Sequence, residues 1–323
     1  MTVRFTVPKG SLEKATFTLL EKAWYGLSKS ERTYRPKIND PEIQLKVLRP
    51  QEIPIYVSEG MHDIGITGKD WIKESGADVN TILDLEYGHI KIVVAAPKKF
   101  GASSISDIFQ SIWAEGKTVR ISTEYLNIAS DYVKSIKSYS DKFGNADPLI
   151  ITPWWKKGSN PKVSIFLSFG ATEAKPPEES DLIIDVTETG RSLQQNNLNI
   201  IDVVMESSAV LVVNKKSYSD PSKKEKLLDI LTLLKGVIDA EKKLHIFANV
   251  KEENLNELLS SLPALKRPTV STLSDKGWYS INTVINRNEF VTILPILRKL
   301  AQGLVVHYPA QILPLEEIVN NEQ

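Results

Sequence analysis

Hydrophobic residues in the N-terminal third alternate between short apolar runs and segments with helical spacing. Strands are predicted at residues 3–7, 45–48, 63–66 and 91–96. The last of these is apolar almost throughout, which is typical of a strand buried on both faces. Phe17, Leu20 and Trp24 follow helical spacing, so a helix is predicted from an N-cap at Ser11 to about residue 27. This alternation predicts an α/β fold.

The same rhythm resumes after residue 97. Helices are predicted near residues 105–113 and 127–138, and strands at residues 118–121, 182–184, 199–206 and 209–214. Asp220 and Pro221 predict the start of a long helix, because Asp is a good N-cap and Pro fits the first helical position. We expect the last two strands to return to the first domain. That return crossing resembles the two-lobed architecture of periplasmic binding proteins.

Residues 139–161 depart from this rhythm. They contain several glycines and prolines and the pair Trp154-Trp155. We interpret the segment as a surface excursion in which the tryptophans pack. A lid on the substrate side and an oligomer contact are the alternatives.

Residues 244–323 predict a separate domain. The elements follow the order strand, helix, strand, strand, helix, strand, which is the βαββαβ pattern of ferredoxin-like folds. We therefore divide the chain into a first lobe (1–97 and 199–243), a second lobe (98–198), which contains the loop after the strand at 182–184, and this C-terminal domain.

Composition narrows the functional classes. The 323 residues predict two or three domains, and 41% hydrophobic with 25% charged residues is typical of a globular protein. A net charge of +0 indicates neither a nucleic-acid nor a membrane surface. The absence of cysteine excludes disulfides, thiolate zinc sites and cysteine nucleophiles, and the four histidines are not paired at metal-binding spacing. No segment has the pattern of a signal peptide or a membrane span, so we expect a cytoplasmic protein.

The strongest local signal is a loop that follows the strand at 182–184. Asp185 ends this strand, and the loop then brings Thr187, Thr189, Gly190 and Ser192 before a helix start. Backbone N–H groups that converge at such a turn bind phosphate, and glycine allows close approach. An ordinary strand-to-helix turn is the alternative. A Gly-Ala-Thr-Glu loop at residues 170–173, here called the GATE loop, precedes it.

Three cations also follow predicted strands. Lys9, Arg49 and Lys69 each lie beside a glycine or a helix start. The carboxyl ends of strands form the ligand-binding side of an open α/β sheet. Each cation alone is more simply a solvated side chain. Together with the phosphate loop they predict a ligand with several phosphates.

Six motifs in order carry a family resemblance: PKGSL, LRPQEIP, DIGITGKD, ISTEY, GATEAKPP and DVTETGRSL. The set resembles ATP phosphoribosyltransferase, and residues 243–273 resemble the regulatory domain of its long form. The resemblance covers nearly the whole chain. It implies transfer of phosphoribosyl from phosphoribosyl pyrophosphate (PRPP) to N1 of ATP with release of pyrophosphate, the first step of histidine biosynthesis. It also implies Mg²⁺, feedback inhibition by histidine and a homo-oligomer, either a dimer or a hexamer.

The resemblance assigns roles by position. The residues matched to PRPP binding are Asp185, Thr187, Glu188, Thr189, Gly190, Arg191 and Ser192. Those matched to catalysis are Lys9, Arg49 and Glu173, and those matched to ATP binding are Gly10, Ser11, Lys69, Glu124 and Tyr125. The histidine effector is matched to Leu265, Arg267, Thr269 and Ser271. Asp185 is expected to face the ribose hydroxyls or the magnesium, with capping of the loop as its alternative role. No metal ligand is assigned.

Two positions depart from the family pattern. Ser11 stands where many relatives carry Arg, which removes one possible phosphate contact. The last strand lacks the usual small Gly-Ala step and reads Gly303-Leu-Val-Val-His307, so effector binding is expected to differ. Three other functions stay open: a two-lobed binding protein without catalysis, a regulatory partner without catalysis, and a phosphoribosyltransferase for another base.

Overall fold

The protein is described by a computed structural model that covers residues 2–28, 33–101, 104–262, 268–313 and 315. The strands are, in chain order, β1 (Val3–Pro8), β2 (Leu27–Ser28), β3 (Lys37–Ile38), β4 (Ile43–Leu48), β5 (Ile64–Gly68), β6 (Asn80–Asp84), β7 (Ile90–Pro97), β8 (Val119–Thr123), β9 (Pro148–Ile151), β10 (Lys156–Lys157), β11 (Asn160–Leu167), β12 (Leu182–Thr187), β13 (Leu198–Ser207), β14 (Ala209–Val213), β15 (Lys243–Lys251), β16 (Thr269–Thr272), β17 (Trp278–Asn286) and β18 (Ala301–His307).

The helices are α1 (Glu13–Lys22), α2 (Ile53–Ser58), α3 (Lys69–Ser75), α4 (Ile105–Ala114), α5 (Leu126–Ser135), α6 (Lys137–Phe143), α7 (Arg191–Gln195), α8 (Lys215–Ser219), α9 (Pro221–Glu241), α10 (Glu252–Ser261) and α11 (Phe290–Leu300). Short 3₁₀ turns occur at Lys98–Phe100, Thr172–Ala174 and Arg287–Glu289. The predicted cap of α9 is confirmed, because the Asp220 carboxylate accepts a hydrogen bond from the Ser222 N–H at 3.0 Å. No helix in the described part of the chain combines the length and apolar character needed to cross a bilayer.

One sheet has five strands in the order β4-β1-β5-β14-β6. β1 and β5 are parallel, with Phe5 opposite Ile64, and β14 is antiparallel to both β5 and β6. Every residue of β5 and of β14 is buried. Strands that bury both faces read as unbroken apolar runs, which is why the pattern of residues 209–213 predicts a strand well.

A second sheet has seven strands in the order β10-β9-β11-β8-β12-β7-β13. β9, β11, β8 and β12 are parallel neighbours, whereas β7 runs antiparallel to β12, and β13 runs antiparallel to β7. The core of this sheet includes the fully buried Ile92, Ile121, Ile165 and Ile184. Since the four parallel strands end at one edge, the loops that follow them lie side by side there.

The chain crosses between the two sheets twice. Residues 85–89 connect β6 to β7, and Ser208 connects β13 to β14. The crossings are joined, because the N–H of Leu85 donates to the Ala209 carbonyl and the N–H of Ala209 donates to the Tyr87 carbonyl, both at 2.9 Å. Two α/β sheets linked by paired crossings confirm the expected two-lobed fold class.

The strand pairing differs from the grouping expected for two strands. β7 and β13 both pair within the seven-stranded sheet, although residues 1–97 and 199–243 were assigned to the first lobe. Of these two and β14, β14 pairs within the five-stranded sheet. The apolar pattern of a strand predicts that it is buried, but it does not say which neighbour it pairs with, and this is the reason for the difference.

Residues 139–161 contribute β9, β10, the start of β11 and part of α6 to the second lobe, so the prediction of a surface excursion is wrong for much of this segment. Tyr139 is fully buried in the core, and β9 and the start of β11 pair with each other. The turn that carries Trp154 and Trp155 is exposed, as are parts of the turn between α6 and β9. The predicted helix at 127–138 is also interrupted, because Ile136 has extended backbone between α5 and α6.

The C-terminal elements form a four-stranded sheet in the order β16-β17-β15-β18, antiparallel throughout. Leu258 of α10 and Leu297 of α11 pack with Ile246 and Ile285 of the sheet in one core. This confirms the predicted ferredoxin-like βαββαβ domain.

The chain forms two compact units. One comprises residues 4–15 and 45–217, which hold nearly all of both α/β sheets. The other comprises residues 1–3, 16–44 and 218–323, which include α9 and the C-terminal sheet. Their limits differ from the three predicted domains, whose boundaries stay a prediction.

Candidate active site

The phosphate loop follows β12 at the carboxyl edge of the seven-stranded sheet. Gly190 has a φ of +75°, in the left-handed region that favours glycine, and its N–H donates to the buried Thr187 hydroxyl at 2.8 Å. Thr187 therefore shapes the loop. The other residues of this loop that are predicted to bind PRPP have exposed side chains: Glu188, Thr189, Arg191 and Ser192. α7 has only five residues, so the loop, more than a helix dipole, would bind an anion.

Asp185 lies at the centre of an acidic group on the same edge. Its carboxylate accepts from the Val186 N–H at 2.8 Å and from the Thr172 hydroxyl. Burial raises the pKa of Asp185, these hydrogen bonds oppose that rise, and the negative charge of Glu173 adds to it. Burial and then the charge of Asp185 also raise the pKa of Glu124. The structure thus brings together three predicted site residues from three different loops.

Lys9, Gly10 and Arg49 form a second group at the end of the five-stranded sheet. The Lys9 N–H donates to the Leu48 carbonyl at 2.7 Å, which aligns the ends of β1 and β4. A Cβ added to Gly10 would lie 3.9 Å from Nη1 of the exposed Arg49. Gly10 itself has a φ of +92°, so the turn requires a residue without a side chain.

A cavity of about 210 Å³ connects residues predicted for ATP. Ser11, Glu124 and Tyr125 line it together with Gln51, Gly68, Asp70, Trp71, Val186 and Ser207. Both sheets therefore contribute to one cavity. Val186 neighbours Asp185, so the cavity opens beside the phosphate loop.

Sequence reasoning missed Asp70, which is buried between three segments. Its carboxylate accepts from the Ser207 hydroxyl at 2.6 Å and from the Tyr125 hydroxyl at 2.9 Å. Trp71 stacks on the Tyr125 ring with centroids 4.5 Å apart. Burial and then the charge of Asp70 raise the pKa of Tyr125, so the phenol stays protonated and donates. An acid in the first turn of a helix is common, and this is why the network could not be recognised from the sequence.

Lys69 lies outside the cavity. Its ammonium pairs with Asp84 at 2.6 Å, and the Ser208 hydroxyl donates to both oxygens of the same carboxylate at 3.0 Å. Burial works against the ionised Asp84, but these hydrogen bonds hold its pKa below the usual value. Lys69 thus ties together the two crossings between the sheets. Contact with ATP would require this ion pair to break, so the ATP assignment of Lys69 stays a prediction.

The carboxylates of Asp185, Glu173 and Glu124 are the candidate metal ligands in the acidic group. Within the described parts of the chain, no group of three or more His, Cys, Asp or Glu side chains is placed to hold a metal ion. This donor set suits Mg²⁺ carried by substrate phosphates, since Mg²⁺ keeps several water ligands and binds few carboxylates. Asp185 and Glu173 are the carboxylates nearest the phosphate loop.

In the C-terminal domain, Thr269 and Ser271 lie on β16, the edge strand, and both are exposed. They pair with Asn282 and Ser280 of β17. Leu265 and Arg267 lie outside the described residues, so the structure does not test the predicted effector group as a whole.

Comparison with known proteins gives consistent matches. The family model "HisG: ATP phosphoribosyltransferase" matches residues 49–236, and the model "HisG, C-terminal domain" matches residues 240–308. The ATP phosphoribosyltransferase of Solibacter usitatus (strain Ellin6076) is 39% identical over 314 residues, which cover 96% of this chain and 98% of the relative. That of Desulforudis audaxviator (strain MP104C) is 36% identical over the same shares of the two chains.

A solved structure is also similar. The ATP phosphoribosyl transferase (HisG:HisZ) complex from Thermotoga maritima contains a chain that is 27% identical, with a TM-score of 0.55. The match covers 74% of this chain and 99% of the solved one. From its two family models and its nearly full-length relatives, this chain belongs to the ATP phosphoribosyltransferase family and has the C-terminal domain of the long form.

Proposed function

We propose that this chain transfers the phosphoribosyl group of PRPP to N1 of ATP, the family's reaction and the first step of histidine biosynthesis, at the site described above. The observation that carries the proposal is the juxtaposition at one sheet edge of the phosphate loop, Asp185 and Glu124. Glu124 also lines a cavity with Ser11 of the other sheet. One face of the site suits a sugar phosphate and the other a nucleotide.

The reaction requires that the two substrates are held in the correct orientation and that the charges that develop in the transition state are compensated. The C1–N1 bond forms while the bond from C1 to pyrophosphate breaks, and the sugar carbon becomes cation-like. The loop at residues 187–192 holds the 5-phosphate through N–H groups and hydroxyls. Asp185 and Glu173 are assigned to the ribose hydroxyls and the positive sugar carbon, because their negative charge favours the cation-like transition state.

The leaving pyrophosphate is assigned to Lys9 and Arg49. Both lie at the carboxyl ends of β1 and β4, and Arg49 extends over Gly10, where no side chain blocks a phosphate. Arg suits this role because its guanidinium forms paired hydrogen bonds with phosphate oxygens. Asp185 and Glu173 are the carboxylates that would lie near Mg²⁺ carried by the substrate phosphates, and the ion would help to neutralise charge on the leaving group.

The adenine side is assigned to the cavity. Glu124, Tyr125 and Ser11 line this cavity and are assigned to the nucleotide, together with Gly10, which precedes Ser11 in the chain. The raised pKa of Glu124 makes this carboxyl a weaker acid than usual, so it accepts a hydrogen bond or proton from the adenine amine more readily.

Regulation is assigned to the C-terminal domain. Histidine binds near Thr269 and Ser271 and inhibits the enzyme, which assembles as a dimer or hexamer in the cytoplasm. The match of residues 240–308 to the family's C-terminal domain supports this role.

One assay tests the proposed function against its alternatives. The purified chain with ATP, PRPP and Mg²⁺ should release pyrophosphate and form an adenine product with changed ultraviolet absorbance, and histidine should suppress both. Binding of ATP and PRPP without pyrophosphate release would indicate a binding protein or a regulatory partner. Turnover with another purine nucleotide but not with ATP would indicate a different base.

A further inference from the structure

The chain continues past the C-terminal sheet and returns to two helices. Residues 309–313, here called the C-terminal strap, lie beyond β18 and contain no helix or strand. The N–H of Ile312 donates to the Gly236 carbonyl in α9 at 2.9 Å. The side-chain amide of Gln311 donates to the carbonyl of Lys22, the last residue of α1, at 3.0 Å. The strap therefore joins α9 and α1 to the end of β18.

Gly236 leaves room for the strap. It lies inside α9, where glycine is unfavourable relative to alanine. Gly236 is buried, and a Cβ added there would collide with the Leu313 side chain and lie 3.4 Å from the Ile312 carbonyl oxygen. Since the backbone of position 236 is helical, the close approach of the strap is what favours glycine here.

The strap also satisfies the end of α1. The last carbonyls of a helix have no partner within that helix, and Gln311 supplies a donor to the carbonyl of Lys22. The Lys22 ammonium pairs with Glu241, the last residue of α9, at 2.7 Å. This ion pair is exposed and contributes little by itself. The end of α1 therefore depends on the strap for its strongest contact.

The opposite end of α1 belongs to the candidate active site. The N–H of Glu13, the first residue of α1, donates to the Gly10 carbonyl at 3.1 Å, and the Gly10 N–H donates to the Glu13 carboxylate at 3.4 Å. Gly10 lies between Lys9, which is assigned to the pyrophosphate, and Ser11, which lines the cavity. A helix of ten residues is a stiff rod about 15 Å long. A change at Lys22 therefore reaches the turn of residues 9–11.

The beginning of the strap is tied to the C-terminal sheet. The Arg287 guanidinium lies over the Tyr308 ring, 5.5 Å from its centroid. The Arg287 N–H donates to the Lys242 carbonyl, between α9 and β15, at 2.8 Å. Ile312 follows His307, the last residue of β18, by five residues, which span at most about 18 Å. A displacement of β18 would therefore move the strap.

We propose that the C-terminal strap transmits inhibition from the C-terminal domain to the active site. A ligand bound to that domain displaces β18, the strap changes its hold on α1, and α1 changes the turn of residues 9–11. Hydrogen bonds and rigid helices are the elements that carry such coupling. The proposal rests on the proposed function and its regulation, and it adds a route within one chain to any change in subunit packing. A strap that only anchors the C-terminal domain is the alternative.

Gly236→Ala tests the proposal, because the added methyl group favours the helix but displaces Leu313. The kcat without histidine should equal that of the parent chain. The histidine concentration for half inhibition should rise about 10-fold or more, since allosteric coupling is usually worth about 5- to 150-fold. Gly236→Ala/Leu313→Ala removes the collision and should restore inhibition. Leu313→Ala alone should be inhibited like the parent.

Gln311→Ala removes the donor to Lys22 and should weaken inhibition in the same direction. The matched control is Gln110→Ala, because Gln110 is exposed on α4. Calorimetry measures histidine binding with and without ATP and PRPP. Histidine should still bind Gly236→Ala and Gln311→Ala, but ATP and PRPP should change its affinity much less than in the parent. Retained binding with lost coupling distinguishes transmission from anchoring.

Hydrogen exchange of the ligand-free chains supplies a measurement that does not depend on activity. Amides of residues 9–22 should exchange faster in Gly236→Ala and Gln311→Ala, because a helix that loses a contact at its end opens more often. Gly236→Ala/Leu313→Ala should return to the rates of the parent. Residues 105–114, which include α4, serve as the reference and should not change.

Unchanged inhibition in both Gly236→Ala and Gln311→Ala overturns the proposal. A lower Tm with unchanged coupling also overturns it and assigns the strap to anchoring. Inhibition that is lost in Gly236→Ala and not restored by Leu313→Ala overturns it as well, and places the effect in α9 itself.

Failure of the proposed function gives a different result. A parent chain that forms no product refutes that function, and a parent that forms product without inhibition by histidine refutes its regulation. In both cases hydrogen exchange still decides the link between the strap and the active-site turn. Faster exchange of residues 9–22 in the strap variants supports this link, and unchanged exchange overturns it.

Discussion

Gly190 shows how one residue determines the shape of the phosphate loop. Its φ of +75° is strained for any side chain, although a Cβ there would meet only Ile200, at 3.6 Å. Steric crowding inside the protein therefore does not exclude a side chain at position 190. Position 190 requires glycine because of its left-handed backbone conformation and because a phosphate must approach the N–H groups of the loop.

Gly190→Val should abolish most PRPP binding while the chain stays folded. The matched control is Gly116→Val, because Gly116 has a φ of +76° and lies in a turn where a Cβ meets nothing within 4 Å. Both variants introduce similar backbone strain. We therefore expect a loss of PRPP binding in Gly190→Val and normal PRPP binding in Gly116→Val. Calorimetry with PRPP measures it. Equal PRPP affinity in the two variants would remove this loop from the site.

Arg49→Ala should lower kcat by about 10²-fold or more and change the KM for ATP little, because the charge that Arg49 meets grows in the transition state. Arg49→Lys keeps the charge but loses the paired hydrogen bonds, so it should recover only part of the rate. Steady-state kinetics with saturating PRPP measure both. A kcat equal to that of the parent would show that Arg49 is not part of the site.

Glu124 links the site to the pH dependence of stability. Its raised pKa means that the folded chain favours the protonated carboxyl. Its contribution to stability is therefore full below the pKa of the unfolded chain and is lost as the pH rises through the folded value.

Glu124→Gln should accordingly raise the Tm at about pH 8 and lose that advantage near pH 4, where the unfolded carboxyl is protonated. Turnover should fall in the same variant. Calorimetric melts at both pH values test the sign. A Tm gain that is larger at acidic pH would contradict the argument.

At the scale of elements, α3 and α5 hold the two sheets together. The Glu74 carboxylate at the end of α3 accepts from the N–H groups of Asn127, at 3.0 and 3.1 Å, and Ile128, at 3.0 Å. Those groups begin α5 and have no partner within their own helix. Burial raises the pKa of Glu74, and the same N–H groups oppose that rise. Since α5 starts one residue after Tyr125, this contact also fixes the wall of the cavity.

Glu74→Ala should destabilise the chain by about 1–2 kcal/mol, the usual effect of losing a side chain that caps a helix. It should also raise the KM for ATP. Glu74→Gln keeps one acceptor and should lose less. Glu115→Ala is the control, because Glu115 pairs only with the exposed Lys117 in a surface ion pair, which contributes little. Urea unfolding compares the three variants, and equal midpoints for Glu74→Ala and Glu115→Ala would exclude the capping role.

At the scale of the whole molecule, α10 and α11 pack against one face of the C-terminal sheet among the described residues. Buried residues of β15 alternate with His245 and Phe247, so the helices cover one face and these rings lie on the other. Thr269 lies on the edge strand of the same sheet. An appended domain that binds an effector can alter activity by changing how subunits pack, without touching the substrates.

Thr269→Trp should block the effector site and leave uninhibited activity. Binding energies must also be coupled reciprocally, so ATP and PRPP should change the affinity for histidine by the factor by which histidine changes theirs. Inhibition assays and calorimetry measure these effects, and sedimentation follows the oligomer. Val291→Trp is the control, since Val291 is exposed on α11. Full histidine inhibition of Thr269→Trp would place the effector elsewhere.

Local sequence was enough for most elements of the fold. Asp220 and Pro221 predicted the start of α9, and the order of residues 244–323 predicted the ferredoxin-like domain. The loop after β12 and the left-handed Gly190 were also predictable, because turn chemistry depends on neighbouring residues.

Pairing between distant segments was decided only by the tertiary structure. The sequence did not reveal that β7 and β13 belong to the seven-stranded sheet, or that residues 139–161 supply its edge strands. It also gave no sign that Asp70 would meet Ser207, which lies 137 positions away, or that Lys69 would form an ion pair with Asp84. Hydrophobic periodicity records which face of an element is buried, whereas the partner of a buried polar group depends on the register and packing of whole sheets.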